Sequence, residues 1–276
     1  MILTDRLGFP FRKRKKDDLP PDHPLNFPNE HLPGSSATLV QVDEISLEAY
    51  LRPSFSDRCR LQEYKKGIYF SKCYLHERLK ATQPKTIIDV GANIGLSSLS
   101  LLQEFPSVTK IVAVEAEAEN FEVLSRNFEH WKSQFENVQF EAMQAIATGQ
   151  DGAAFEMSRL GQDNPQTTAS GTFRFTPAQT GITNTVTMAY LLAGAEGPII
   201  CKMDIEGGEE FIFNADTAWL DRVSFFTAEV HDRFGPEFID SSARMIASLS
   251  EFAIVPDRDV LHCYRRHQVN NPDIST

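Results

Sequence analysis

The run Ile87-Ile88-Asp89-Val90-Gly91-Ala92-Asn93-Ile94-Gly95-Leu96-Ser97-Ser98 carries the densest chemical signal in the chain. It reads as a strand ending near Asp89, a turn through Gly91, Asn93 and Gly95, and the start of a helix. Small residues at such a turn let backbone approach a ligand closely, above a helix N-terminus. Asn93 stands where many dinucleotide sites carry glycine, and asparagine also tolerates the left-handed conformation. The spacing is G-x-N-x-G, not the dinucleotide pattern G-x-G-x-x-G. Asp89, just before the first glycine, would repel a phosphate and suits a ligand that carries positive charge.

Three further groups of polar residues follow apolar strands. Glu115 closes "KIVAVE", where a carboxylate can accept two hydrogen bonds from a ribose diol. Glu117, Glu119 and Glu122 come after it and are expected to face solvent on the following helix. "IICKMDIEGG" delivers Lys202, Asp204 and Glu206, which strand alternation turns towards one side. Unpartnered charges are costly to bury, so these serve a ligand or pair with one another as a Lys202 to Asp204 or Glu206 ion pair. "FFTAEVH" ends in Glu229 and His231. A histidine there is a candidate general base or a strand-end hydrogen-bonding group. The other histidines (His23, His31, His76, His130, His262, His267) have no such context and read as surface or packing residues. A carboxylate-lined turn of this kind fits S-adenosylmethionine, which carries an amine and a sulfonium.

The elements that must position these residues recur regularly from residue 85. Strands over 85–91, 110–116, 138–145, 198–207 and 223–231 are near-continuous apolar runs, separated by helical stretches such as 95–105 and 119–132. That pattern predicts a mostly parallel sheet covered on both faces. "FAIVPD" and "DVLHCYRR" predict two short strands around Pro256-Asp257, a hairpin at the sheet edge. Residues 152–190 interrupt the rhythm. They predict antiparallel strands over 153–159 and 184–191 around a long mobile loop. Upstream, "ATLVQVDEI" alternates like a strand, and Cys73, Tyr74, Leu75 and Leu79 suggest a helical face before Gln83-Pro84. Residues 1–35 hold six prolines and the basic run Arg12-Lys13-Arg14-Lys15-Lys16. They predict an extended, solvated arm, and deletion of residues 1–30 is expected to leave the fold intact.

Composition bounds the rest. The 276 residues are 41% hydrophobic, enough for a core, and carry a formal charge of −11. The acidic balance argues against general nucleic-acid binding. No apolar run approaches the ~20 residues of a membrane span, and no signal peptide is apparent at the N-terminus. Cys59, Cys73, Cys201 and Cys263 are widely spaced, so neither a disulfide framework nor a zinc knuckle is expected, and a cytoplasmic location is the simplest.

The four groups, in this order, resemble the FkbM-type S-adenosylmethionine-dependent methyltransferases. "IIDVGANIGLSS", "VAVEAEAENFEVLSRNF", "QAIATGQDG", "TVTMAYLL", "KMDIEGGEEFIF" and "AEVH" carry the resemblance, over roughly residues 64–231. It implies a Rossmann-like class I methyltransferase: an α/β fold with a seven-stranded sheet and an antiparallel edge hairpin, preceded by an N-terminal extension. It implies methyl transfer, usually to a hydroxyl of a small molecule or saccharide. It places Asp89, Gly91, Asn93 and Gly95 around the methionine part of the cofactor, Glu115 at the ribose, and Gln144 and Ala145 near the adenine. Asp204 and Glu206 fall beside the transferring methyl, with His231 or Glu206 as the base. Ala116 stands where the family often has proline. Residues 85–265 form the methyltransferase domain on this reading, 36–84 a lid over the acceptor, and 266–276 a tail. Asp204 and Glu206 are hard oxygen ligands, but nothing groups with them and no metal is assigned. Oligomeric state is open, a dimer included. Two other classes remain: a nicotinamide-dependent oxidoreductase, against which the missing G-x-G-x-x-G counts, and a non-catalytic cofactor-binding module. N-methylation is a closer variant, but "MDIEGGE" stands where such enzymes often carry N/D-P-P-Y.

Overall fold

A computed structural model describes residues 20–21, 23–27, 32–42, 47–159, 173–181, 184–230 and 236–269. The chain runs β1 (Thr38–Gln41), β2 (Glu48–Leu51), α1 (Phe55–Lys66), α2 (Tyr74–Ala81), β3 (Thr86–Val90), α3 (Leu96–Glu104), β4 (Lys110–Glu115), α4 (Ala118–Lys132), β5 (Gln139–Gln144) and β6 (Ile146–Thr148). It continues through β7 (Ala154–Arg159), β8 (Phe173–Ala178), β9 (Thr185–Thr187), α5 (Met188–Ala193), β10 (Ile199–Met203), α6 (Glu209–Phe213), β11 (Val223–Glu229), α7 (Pro236–Ser248), β12 (Phe252–Asp257), β13 (Val260–Arg265) and α8 (Arg266–Val269).

The central sheet has seven strands in the order β12-β13-β11-β10-β3-β4-β5. Only β13 runs against its neighbours, pairing antiparallel with both β11 and β12. This is the expected mostly parallel sheet with an edge hairpin. The chain leaves β3 towards β4 and β5, then returns to β10 on the other side of β3. The C-terminal end of β3 is therefore the switch point, where open sheets of this type leave a crevice. Alternation along the strands feeds two cores. Ile87, Ile111, Phe140 and Ile200 pack with Leu99, Leu124, Phe128 and Trp131 on one face. Ile88, Val112, Cys201 and Phe226 pack with Leu191, Leu192, Met245 and Leu249 on the other. Burying such side chains contributes about 1.5–3 kcal/mol each, which is why these strands read as unbroken apolar runs.

Several expectations need correction. β7 pairs with β8, not with the 184–191 stretch. Within that stretch β9 pairs parallel with β6, and Met188–Ala193 is a helix whose Thr187 side chain caps the N–H of Tyr190. Of the loop expected there, 160–172 and 182–183 lie outside the described residues. Pro256 sits inside β12, and the turn is at Arg258, with φ of 59°. β12 is an edge strand, where a missing N–H is tolerated. Glu117 does not face solvent: it is buried and caps α4 by accepting from the N–H of Asn120 at 2.7 Å. Glu119 accepts from the N–H of Gly34 at 2.5 Å. On α2, Tyr74 points outward, 69% exposed, and the buried positions are His76, Arg78 and Leu79. His76 packs there between Phe70 and Phe105.

The lead-in is bolted to the sheet domain by polar contacts. Asn127 accepts from the N–H of Tyr50 at 2.5 Å and donates to the carbonyls of Tyr50 and Ile94. Trp131 donates to the carbonyl of Glu48 at 2.8 Å. The wholly buried Asp57 of α1 holds Arg52 at 2.7 Å, and Arg52 also donates to Asn120. α1 itself starts at Ser54, which accepts from the N–H of Asp57, and stops at the left-handed Gly67. Its inward positions include Asp57, Leu61 and Tyr64, so an aspartate occupies the first core position. Hydrophobic periodicity alone therefore misses this helix. Of the 1–35 arm, some described residues pack against the fold while Pro20, Pro21, Pro33 and Ser35 are exposed: Arg58 lies 4.3 Å over the Phe27 ring, and Arg126 donates to the carbonyl of Gly34.

Candidate active site at the switch point

A cleft of about 890 Å³, open solvent at its mouth included, lies at the C-terminal ends of β3, β4 and β10. Its floor is the β3–α3 turn. Gly91 has φ of 78° and Asn93 of 52°, so both adopt the left-handed conformation that the turn residues suggested. A Cβ on Gly91 would stand 1.9 Å from the carbonyl oxygen of Asp204. Glycine here lets the β3 turn and the end of β10 touch backbone to backbone. Gly95 begins α3 and packs beneath Leu124 and Trp131.

Glu115 enters the cleft from the end of β4. Its carboxylate accepts from the N–H of Asn93 at 2.8 Å and of Glu117 at 2.9 Å. Burial pushes this carboxyl up to about 7, against the pull of those two backbone donors. Across the cleft, charges alternate in sign. Lys202 Nζ lies 3.3 Å from Asp89, 3.9 Å from Asp204 and 2.8 Å from the carbonyl oxygen of Gly91. Burial opposes its charge, but Asp89 and Asp204 hold its pKa above the usual lysine value. Arg60 of α1 stands 3.8 Å from Asp204 and 2.7 Å from Glu63.

Of the residues singled out from sequence, Gly91, Asn93, Glu115, Ala145, Lys202, Asp204 and Glu206 line this one cleft. Asp89 lies beneath it, wholly buried, accepting from the hydroxyls of Ser97 and Ser98 at 2.6 Å each. Gly95 is likewise below the floor. Gln144 is exposed at the end of β5, where its carbonyl accepts from Asn184. His231 lies outside the described residues. The ion pair considered for Lys202 does form, more closely with Asp89 than with Asp204. Arg60, Tyr69, Asn120, Phe175 and Phe211 also line the cleft and carry no sequence signal of their own. Among the described residues no three or more metal-binding side chains gather, and no helix is long and apolar enough to cross a membrane.

The Methyltransferase FkbM domain matches residues 89–253. No curated protein matches the chain. Solved structures of similar fold include Methyltransferase FkbM from Methylobacillus flagellatus KT, 12% identical, with a TM-score of 0.42 over 75% of this chain and 59% of that one. This chain thus spans under two thirds of that protein. An rRNA methylase from Streptococcus thermophilus is 11% identical over 69% of this chain and 93% of its own, with a TM-score of 0.40. The METTL16 MTase domain is 11% identical over 95% and 97%, with a TM-score of 0.41. With its Rossmann-like sheet, its switch-point cleft and a domain match spanning well over half its length, the chain belongs to the FkbM methyltransferase family.

Proposed function

We propose that the protein transfers a methyl group from S-adenosylmethionine to a hydroxyl oxygen of a small molecule or saccharide. One observation carries the reading: a carboxylate, Glu115, enters the switch-point cleft beside a glycine turn that already faces buried acid. Gly91, Asn93 and Asp204 would hold the methionine part, Glu115 the ribose hydroxyls, and Ala145 the adenine. When bound, the cofactor supplies an electrophilic methyl on a sulfonium. Asp89 acts from below, tethering Ser97 and Ser98 and balancing Lys202. Glu206 in the cleft, or His231, takes the proton of the acceptor hydroxyl, and general-base assistance of that kind contributes about 10²–10⁴-fold.

A nicotinamide dinucleotide suits this floor poorly. The open side of Gly91 is filled by the Asp204 carbonyl, and the carboxylate of Asp89 lies beneath the first turn of α3 on the hydroxyls of Ser97 and Ser98. A pyrophosphate needs that close backbone approach and is repelled by a carboxylate under the helix N-terminus. Calorimetry with S-adenosylhomocysteine and with NAD separates the two. Binding of the first and silence towards the second is expected, and the reverse would end the proposal. Radiolabelled methyl transfer to hydroxyl and amine acceptors then tests the oxygen preference.

Glu115 makes a pH-dependent prediction. The ribose hydroxyls need an ionised acceptor, so affinity for S-adenosylhomocysteine should fall roughly tenfold per unit below pH 7. Glu115→Gln should weaken binding at pH 8 by about 10-fold or more and flatten that dependence. The carboxyl is raised by folding, so its contribution to stability is present below its ordinary 4.5 and is lost as pH rises through about 7. The melting temperature of the native protein relative to Glu115→Gln should decline across that window and level off above it. A constant difference would refute the assignment.

A further inference from the structure

Glu115 accounts for one end of the cleft. The other end, where β3 and β10 finish, is walled by α1, a helix that lies before the matched family domain. Two cations face the cleft from this side, and they are not equivalent. Lys202 is committed: it donates to the Gly91 carbonyl at 2.8 Å and sits 3.3 Å from Asp89. Arg60 is only partly committed. Its Nη2 meets Glu63 at 2.7 Å, and its Nη1 stands 3.8 Å from Asp204, beyond hydrogen-bond length. Its Nε is buried and has no hydrogen-bond partner among the described residues. A guanidinium presents its donors as a planar fork that matches a carboxylate with two parallel bonds, so an unused donor edge in a ligand cleft calls for an anion. Leaving such a donor buried and unsatisfied is costly, by more for a charged group than for a neutral one.

The neighbours of Arg60 decide which anion fits. Asp204 lies 3.8 Å away in the same wall, and Glu206 lines the cleft beyond it. A phosphate or a simple dicarboxylate would meet these acids. A zwitterion would not, because its ammonium can face Asp204 while its carboxylate faces Arg60. An α-amino acid group has that charge pattern on adjacent atoms. Glu63 meets only one end of the fork, at Nη2, and leaves Nε unpaired among the described residues. Tyr69, whose hydroxyl lies 3.4 Å from Glu63, closes this end of the cleft.

We infer that Arg60 binds the carboxylate of the cofactor's amino-acid end, with Asp204 facing its ammonium, so that α1 belongs to the cofactor site and not only to a lid over the acceptor. This rests on the cofactor reading above. The geometry makes α1 a reporter of the amino-acid tail alone. Glu115 and Ala145 hold the nucleoside without it.

The test compares two ligands by calorimetry on the full chain. S-adenosylhomocysteine carries the amino-acid tail, and 5′-methylthioadenosine keeps the nucleoside and thioether but lacks it. Arg60→Gln should weaken S-adenosylhomocysteine by about 10- to 100-fold and leave 5′-methylthioadenosine within twofold. Arg60→Lys keeps the charge but loses the fork, and should give a smaller loss confined to the same ligand. Equal losses for both ligands would mark Arg60 as a structural residue, and no loss for S-adenosylhomocysteine would leave it without a role. Either result overturns the inference while the cofactor reading stands. If Arg60→Gln melts well below the native protein, Arg60→Lys decides by the same comparison. Failure of the native protein to bind either ligand would instead defeat the cofactor reading, and this inference with it.

Discussion

Gly91→Ala should destabilise the protein by about 3 kcal/mol or more and abolish cofactor binding. Two costs combine. Gly91 is held at φ of 78°, a conformation an L-residue adopts only with strain. The added methyl would also stand 1.9 Å from the carbonyl oxygen and 2.8 Å from the carbonyl carbon of Asp204. Those atoms are backbone and cannot swing aside. Asp204 is itself tied to β3, since its N–H donates to the carbonyl of Val90 at 3.0 Å. Relief therefore requires the ends of β3 and β10 to part, which opens the switch point and moves Asp204 away from Arg60. Gly152 supplies the control. Its φ is 73°, and nothing lies within 4 Å of the position a Cβ would take. Gly152→Ala should cost only the conformational penalty, about 1–2 kcal/mol. Urea denaturation of both variants measures the difference. Similar midpoints would show that the β3 turn yields more easily than its packing implies.

Lys202→Met should cost about 3–5 kcal/mol, the range seen when one partner of a buried ion pair is removed. Asp89 is wholly shielded from solvent and would keep only the hydroxyls of Ser97 and Ser98. The carbonyl of Gly91 would lose its side-chain donor as well. Adding Asp89→Asn to Lys202→Met removes the stranded charge and should recover most of the loss. A double variant no more stable than Lys202→Met would show that the deficit comes from lost packing of the lysine stem.

These predictions concern groups of different visibility in the sequence. The inner strands β3, β4, β10 and β11 announce themselves because each is buried along nearly its whole length, so its residues are almost all apolar. The turn after β3 is equally legible. Its left-handed positions demand glycine or asparagine, and Gly91, Asn93 and Gly95 appear where they are needed. Glu115 and Asp204 follow from a general property of open parallel sheets, which leave a crevice at the carboxyl ends of their strands. What the local pattern of residues could not convey is which of these side chains reaches the crevice. Asp89 and Gly95 sit in the same short motif as Gly91 and Asn93, yet they lie below the floor.

The remainder depends on contacts between segments distant in the chain. α1 is hidden because its inward face opens on Asp57, an acid satisfied only by Arg52, so no apolar period marks it. Arg60 and Tyr69 reach the cleft from a lead-in that Asn120, Asn127 and Trp131 fasten to α4. The pairing of β7 with β8, and of β9 with β6, is likewise settled by neighbours in space, since either short strand alternates well enough for several partners. Sequence alone thus determined the sheet, the glycine turn and the acids at its strand ends, because burial and backbone geometry restrict residue type position by position. Tertiary structure decided which polar groups share the cleft and which charges face one another. Those relations depend on distances between segments that no local pattern encodes.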